Sequence, residues 1–138
     1  MQFYSSEELL FQKSIEQFSN KEIIPYLTNW EKDEHFPSEL FLKLGTQGFL
    51  GILIDESLGG IGGSYKLAAA WCEAFGKIPS VGLTTAINMH SLVITPTLAR
   101  FGSIILKEQW LENAIEGKAI GAYAFTEPEA GSDLFNVK

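Results

Sequence analysis

Residues 119–133 read Ala119-Ile120-Gly121-Ala122-Tyr123-Ala124-Phe125-Thr126-Glu127-Pro128-Glu129-Ala130-Gly131-Ser132-Asp133. The apolar run from Ala119 to Phe125 stops abruptly at Thr126 and gives way to hydroxyls, glycine and acid. The pattern predicts a β-strand over 119–125 that delivers its last residues to a turn. In such a strand Tyr123 and Phe125 share one face and Ala122 and Ala124 the other. Small residues on one face leave room for a flat ligand against the main chain. Thr126 and Ser132 carry hydroxyls that donate or accept hydrogen bonds. Gly131 lets a ligand come close, and Pro128 fixes the turn. On the residues alone, a ligand platform and a plain turn are equally good readings.

Upstream of this run the chain reads as helices. Ser5 and Glu8 have the spacing of a capping box, and Phe11, Ile15, Phe18 and Ile23 follow a helical period. Pro25 ends or kinks that helix, and 26–31 continue it. A short helix starts near Ser38, with Leu40, Phe41 and Leu44 inward, and stops at Gly48. Residues 50–54 are apolar and partly β-branched, which suggests extended chain. Ser64 caps a helix whose apolar face is Leu67, Ala68, Trp71, Cys72 and Phe75, ended by Gly76. The stretch 80–101 has a single charge, Arg100. It reads as one or two buried helices, with a break near Pro96. A last helix uses Ile104, Ile105, Trp110, Leu111 and Ile115 and stops at Gly117. The expected fold is therefore mainly α: a helical domain over 1–118, then the first strand of a β domain over 119–138. A lone strand needs a pairing partner, either within 1–118 or in further sequence.

The 138 residues suit one domain with a real core, and 46% hydrophobic with 20% charged residues is ordinary for a globular chain. A net charge of -7 argues against a nucleic-acid surface, and weakly against anionic membranes. No apolar run approaches the ~20 residues of a membrane span. The N-terminus lacks the basic start and apolar stretch of a signal peptide. One cysteine, Cys72, cannot close an internal disulfide, which favours a cytoplasmic setting. Two distant histidines, His35 and His90, give no metal-ligand pattern.

Other candidate groups carry weaker signals. Gly59-Gly60-Ile61-Gly62-Gly63 resembles a nucleotide loop, but Tyr65 occupies the third glycine position of the dinucleotide fingerprint. A structural loop is the better reading. Glu127 and Glu129 form a possible acid–base pair, yet an exposed turn around Pro128 favours capping, and Asp133 reads the same way. Cys72 lies on an apolar helix face, where thiols are inert. His35, beside Pro37, suits a surface or cap, and His90 suits a satisfied core histidine. Trp30, Trp71 and Trp110 fall at core-facing helical positions.

Ala124-Phe125-Thr126-Glu127-Pro128-Glu129-Ala130-Gly131-Ser132-Asp133 resembles the flavin-binding signature of acyl-CoA dehydrogenases. Phe36-Pro37, Leu44-Gly45-Thr46-Gln47-Gly48-Phe49-Leu50-Gly51 and Leu58-Gly59-Gly60 are similar to the family's early helices and glycine loop. Phe101-Gly102 and Gln109-Trp110-Leu111 are similar to its last helix before the signature. The resemblance covers nearly the whole chain and only the first part of a family member. It implies a helical N-terminal domain, a middle β-barrel, a C-terminal helical domain and homotetramers. It also implies FAD as cofactor, an acyl-CoA substrate and an electron-transfer flavoprotein or similar acceptor, in the cytoplasm or, in a eukaryote, the mitochondrial matrix. In the implied reaction a Glu carboxylate removes the α-proton of the thioester and the β-hydrogen leaves as hydride to flavin.

Carried over by position, the main chain of Tyr123 and Phe125 runs along the flavin ring. Thr126 donates its hydroxyl to the pyrimidine edge, where negative charge grows on reduction. Gly131 and Ser132 contact FAD, Ser132 also lies near the acyl-CoA, and Asn88 and Leu92 border the acyl pocket. The chain departs from the family at Asp55, where an apolar-Pro pair is common, and at Glu129, where a small residue is common. No residue aligns with the general base, and neither Glu127 nor Glu129 takes that role, so this chain carries no catalytic residue. Related readings are a carrier-protein thioester dehydrogenase or an oxygen-using flavoenzyme of the same fold. A reading of another class is a non-catalytic helical interaction module. A neutral hydrogen bond nets about 0.5–1.5 kcal/mol, whereas micromolar binding needs about 8 kcal/mol. One strand and turn therefore do not hold FAD alone, and the isolated chain is expected to be colourless.

Overall fold

A computed structural model describes residues 3–138. Its helices are α1 (Ser6–Glu22), α2 (Leu27–Lys32), α3 (Glu39–Thr46), α4 (Tyr65–Phe75), α5 (Val81–Asn88), α6 (Thr95–Phe101) and α7 (Ile104–Ile115). Serine starts four of them: the hydroxyls of Ser5, Ser64, Ser80 and Ser103 accept the N–H of Glu8, Leu67, Leu83 and Leu106. Each such cap satisfies a donor the helix leaves orphaned and contributes about 1 kcal/mol. At α1 the box is complete, because the Glu8 carboxylate accepts the Ser5 N–H at 2.7 Å. The same bond holds the Glu8 carboxyl below its usual range, and Lys66 adds to it. The helix stops ahead of Pro25, and α2 resumes beyond it.

The core forms where α1, α3 and α4 meet the α5 rod. Ile15, Ile23, Phe41, Leu44, Phe49, Trp71, Phe75 and Ile87 are buried there. Phe49 meets Phe11, Phe18 and Phe75 edge-on, with centroids 5.8, 5.6 and 5.9 Å away. That geometry suits the ring quadrupoles. The Trp71 indole N–H donates to the Phe49 carbonyl at 2.9 Å, so the buried indole has its partner. Gln12 fastens α1 to α4 by donating to the Ala70 carbonyl at 3.1 Å and the Glu73 carboxylate at 3.0 Å.

Pro96 does not break the 80–101 stretch. In a regular α-helix its ring would strike the Leu92 carbonyl. The chain instead widens into a π-helical segment, Met89–Ile94, which joins α5 to α6 as one rod. The Thr95 hydroxyl takes up the His90 carbonyl at 2.7 Å. Such single-turn π segments are frequent at functional positions.

Four further expectations are corrected. Residues 50–54 form no strand; the carbonyls of Gly51, Ile52 and Ile54 accept N–H groups from Ile61, Gly63 and Gly62 in a folded-back loop. That loop is structural, since a Cβ on Gly60 would lie 2.2 Å from the Ile54 carbonyl oxygen. The 80–101 rod is not buried throughout, with Val81 and Phe101 exposed at its two ends. In α7 only the C-terminal end packs, through Leu111, Ala114 and Ile115. Ile104, Ile105 and Trp110 are exposed, while Leu111 and Ile115 pack in a small cluster with Ile54, Leu98 and Ala99.

The fourth correction concerns residues 119–125, which form no strand. Among the described residues the main chain there finds no partner strand, and a ladder cannot exist on one side only. The one bridge nearby joins Glu127 to Ala130 across the turn. The observed class is thus mainly α, as expected, without the terminal strand. No helix among the described residues is long and apolar enough to cross a membrane.

Candidate functional site

After α7 the chain turns at Gly117 and runs back along the π–α6 rod. The N–H groups of Lys118 and Ala119 both donate to the Asn113 carbonyl, at 2.8 and 3.0 Å. Gly121 then reaches the rod, its N–H donating to His90 Nδ1 at 3.1 Å. Two residues on, the Tyr123 and Thr97 hydroxyls meet at 3.3 Å. The Tyr123 and Phe125 rings stack, with centroids 4.6 Å apart and planes 18° from parallel. They therefore share a side, as alternate residues should, even without a ladder.

The turn beyond closes on itself. Glu127 and Ala130 exchange main-chain hydrogen bonds at 2.9 and 3.2 Å, and Ala130 is buried beneath them. The Glu127 carboxylate accepts the Lys138 N–H at 3.0 Å. Asp133 accepts from the Phe135 N–H at 3.3 Å and the Asn136 amide at 2.6 Å. Glu127 and Asp133 thus both accept hydrogen bonds that close the turn.

Five residues are expected at a cofactor wall, and their placement is simple. Tyr123, Phe125, Thr126, Gly131 and Ser132 all lie exposed on one continuous segment. A Cβ on Gly131 would meet nothing within 4 Å, so a flat molecule can approach the main chain there. An open glycine, two exposed hydroxyls and unpaired main chain at 122–126 are compatible with a flavin edge. Asn88 and Leu92 lie on the rod, not on this segment; Leu92 packs against the main core and Asn88 Oδ1 is buried without a hydrogen-bond partner.

The sequence conceals the group that ties the segment down. His90 is fully buried in the π segment, edge-on to Phe41 with centroids 5.3 Å apart. Its Nε2 lies 2.9 Å from the Ala114 carbonyl, opposite the Gly121 contact. A carbonyl only accepts and a main-chain N–H only donates, so the ring is neutral with its proton on Nε2. Burial pushes this imidazole below its ordinary value of 6.5, and the bond to Ala114 opposes that in part. His90 is the satisfied core histidine that its apolar surroundings suggest, but with both nitrogens engaged. Only the apolar run around position 90 signals burial; nothing in the sequence signals its partners. Cys72 is half-buried, with its thiol pushed up by burial, as expected of an inert side chain.

A separate apolar cleft of about 500 Å³ lies beside residue 120, between Trp30, Phe36, Leu83 and Ile120. None of the five expected wall residues lines it.

Comparison with known proteins matches residues 5–118 to the acyl-CoA dehydrogenase N-terminal domain family. The chain is 41% identical over 137 residues to rat mitochondrial long-chain specific acyl-CoA dehydrogenase, covering 98% of this chain and 31% of that protein. The crystal structure of an acyl-CoA dehydrogenase from Geobacillus kaustophilus superposes with a TM-score of 0.89 at 32% identity, over 99% of this chain and 35% of that one. An acyl-CoA dehydrogenase from Bacillus anthracis, solved with FAD, gives 0.87 at 31% identity, over 98% of this chain and 23% of that one. The chain thus spans about a third or less of the length of these relatives.

Proposed function

Because the chain belongs to the acyl-CoA dehydrogenase family, we propose that it supplies the helical N-terminal part, residues 1–118, and the opening of the middle β domain, residues 119–138, of an FAD-dependent acyl-CoA dehydrogenase. The observation that carries this reading is the exposed segment 122–126, with its unpaired main chain, and the open Gly131 beyond it. A relative solved with FAD supports the cofactor. The substrate is an acyl-CoA thioester, oxidised at Cα–Cβ to the trans-2-enoyl thioester. The same premise gives an electron-transfer flavoprotein or similar acceptor, a homotetramer, and the cytoplasm or mitochondrial matrix as setting.

FAD bound there supplies the hydride acceptor. The main chain of Tyr123 and Phe125 would help to hold the ring, and Gly131 would leave room for it. Thr126 would donate its hydroxyl where negative charge grows on reduction, a contact that helps the rate because it strengthens as that charge develops. Ser132 would contact both cofactor and thioester. Asn88, whose carbonyl oxygen is buried without a partner, and Leu92 border the acyl chain. The base that removes the α-proton is not among these residues.

The test is made on the protein purified from its source. It should carry flavin absorbance and lose it anaerobically on addition of an acyl-CoA. Thr126→Ala should slow that loss about tenfold or more, the size of one hydrogen bond to a charged group. A protein that carries no flavin, or whose flavin no acyl-CoA reduces, refutes the proposal.

A further inference from the structure

We propose that His90 is the positioning residue of the flavin-facing segment: its imidazole sets where Gly121, and hence Tyr123 and Phe125, leave the helical body. The flavin end of this inference rests on the function proposed above, while the anchoring end rests on geometry alone.

Residues 119–126 have no ladder to hold them, so their place depends on a few contacts. The Ala119 bond to the Asn113 carbonyl belongs to the end of α7 and does not reach the rod. The Tyr123–Thr97 hydroxyl contact at 3.3 Å is exposed, where water competes for both partners. The Gly121–His90 bond is different, because its acceptor is fully buried. The same ring donates to the Ala114 carbonyl at 2.9 Å. One rigid imidazole therefore bridges the last turn of α7 and the first residue of the segment that touches the rod. Phe41 packs edge-on against it, which fixes the ring plane.

Shape agrees with hydrogen bonding. Gly121 lies so close to Ile94 that a Cβ there would come within 2.5 Å of Ile94 Cγ2. His90, Ile94 and Thr97 thus each meet residue 121 or 123, and together they form a rail along the π–α6 rod. A buried histidine that merely filled space would need a partner for its N–H alone. Here one must donate and the other accept, which specifies the neutral ring with its proton on Nε2. Binding segments work only when held to within about half an ångström by such supporting groups.

Two conservative variants separate positioning from core filling. His90→Asn keeps an acceptor near the Nδ1 position, and His90→Gln keeps a donor near Nε2 but offers Gly121 nothing. Amide hydrogen exchange is measured on the 138-residue chain by NMR. In His90→Gln the Gly121 amide should exchange about tenfold faster, the order expected for one lost hydrogen bond. The Ala119 amide, bonded to Asn113, should stay unchanged, and His90→Asn should keep Gly121 protected. Equal Gly121 exchange in all three proteins, or equal loosening of Ala119 and Gly121 in both variants, overturns the inference. In the flavin-bearing protein His90→Gln should lose FAD faster than wild type on dilution, with His90→Asn close to wild type. Flavin retention unchanged in His90→Gln despite a freed Gly121 also overturns the positioning role. A protected Gly121 in the 138-residue chain, together with no flavin in the protein purified from its source, leaves the anchor standing and refutes the flavin reading instead.

Discussion

Gly117 and Gly48 make a matched pair, because both hold φ at +74°. An alanine at either site is strained by its left-handed backbone, at a cost of about 1–2 kcal/mol. Their surroundings differ. At Gly48 a Cβ would meet only Ile61 Cγ2, at an ordinary 3.6 Å. At Gly117 it would lie 2.0 Å from the Phe41 carbonyl oxygen, 2.3 Å from its carbon and 2.9 Å from the Leu42 nitrogen. These are main-chain atoms of α3, which cannot rotate away. The helix must shift bodily from α7, and overpacking of this kind costs about 1–3 kcal/mol more. Gly48→Ala should therefore lose about 1–2 kcal/mol and Gly117→Ala about 2–5 kcal/mol. The difference corresponds to roughly 4–12 °C in Tm for a domain of this size. Urea and thermal unfolding of the two variants measure it. Equal losses in the two, within about 0.5 kcal/mol, would refute the claim that the end of α7 is seated directly on the α3 main chain.

The core supplies three shorter predictions. Trp71→Phe removes the donor that satisfies the buried Phe49 carbonyl and leaves a void; urea denaturation should show a loss of about 2–4 kcal/mol. His90 is held below its ordinary 6.5, so the unfolded chain takes up a proton first as pH falls. Its contribution is complete above about 6.5 and is lost as pH drops through the folded-state value. Wild-type stability should therefore fall more steeply between about pH 7.5 and 5.5 than that of His90→Asn, which lacks the titrating ring, and equal slopes would count against a neutral buried imidazole. Cys72, with its thiol pushed up by burial, should react with a thiol reagent near pH 7.5 at least about tenfold more slowly than free cysteine, and rapid labelling of the folded chain would contradict that.

The helices were legible because their signals are local. Ser5, Ser64 and Ser103 precede helical periods directly, and each caps its helix. Leu40, Phe41 and Leu44 recur at the helical spacing and are buried. What failed was information that a period does not contain. Ile104 and Ile105 continue the apolar pattern of α7, but periodicity cannot say which turns find apolar neighbours, as Leu111 and Ile115 do at Ile54, Leu98 and Ala99. Pro96 announced an interruption correctly in kind and wrongly in form, since a wider turn absorbs a proline as well as a break does. His90 was illegible as an anchor because its partners, Ala114 and Gly121, lie 24 and 31 residues away. The candidate wall was legible only through likeness to a family. From its residues alone the same stretch reads equally well as a plain turn, and several of its polar groups do serve the turn.

The unformed strand at 119–125 is the most informative discrepancy. Its residue types fit a strand, and Tyr123 and Phe125 already share one side. A strand, however, is a property of a pair, and its N–H and C=O groups stay with water until a partner arrives. Ordering each residue costs about 1–2 kcal/mol of chain entropy, so an untethered peptide pairs poorly. Here that cost is partly met in advance. Asn113 fixes Ala119, His90 fixes Gly121 and Thr97 meets Tyr123, so the first residues are already placed against a rigid rod. A partner strand then has to order only the residues beyond Tyr123, and it meets an edge whose register is set from the helical side. The same tether would place the wall residues for a cofactor. The histidine at position 90 would thereby link helical packing to the chemistry proposed for Thr126, through its bonds to Ala114 and Gly121.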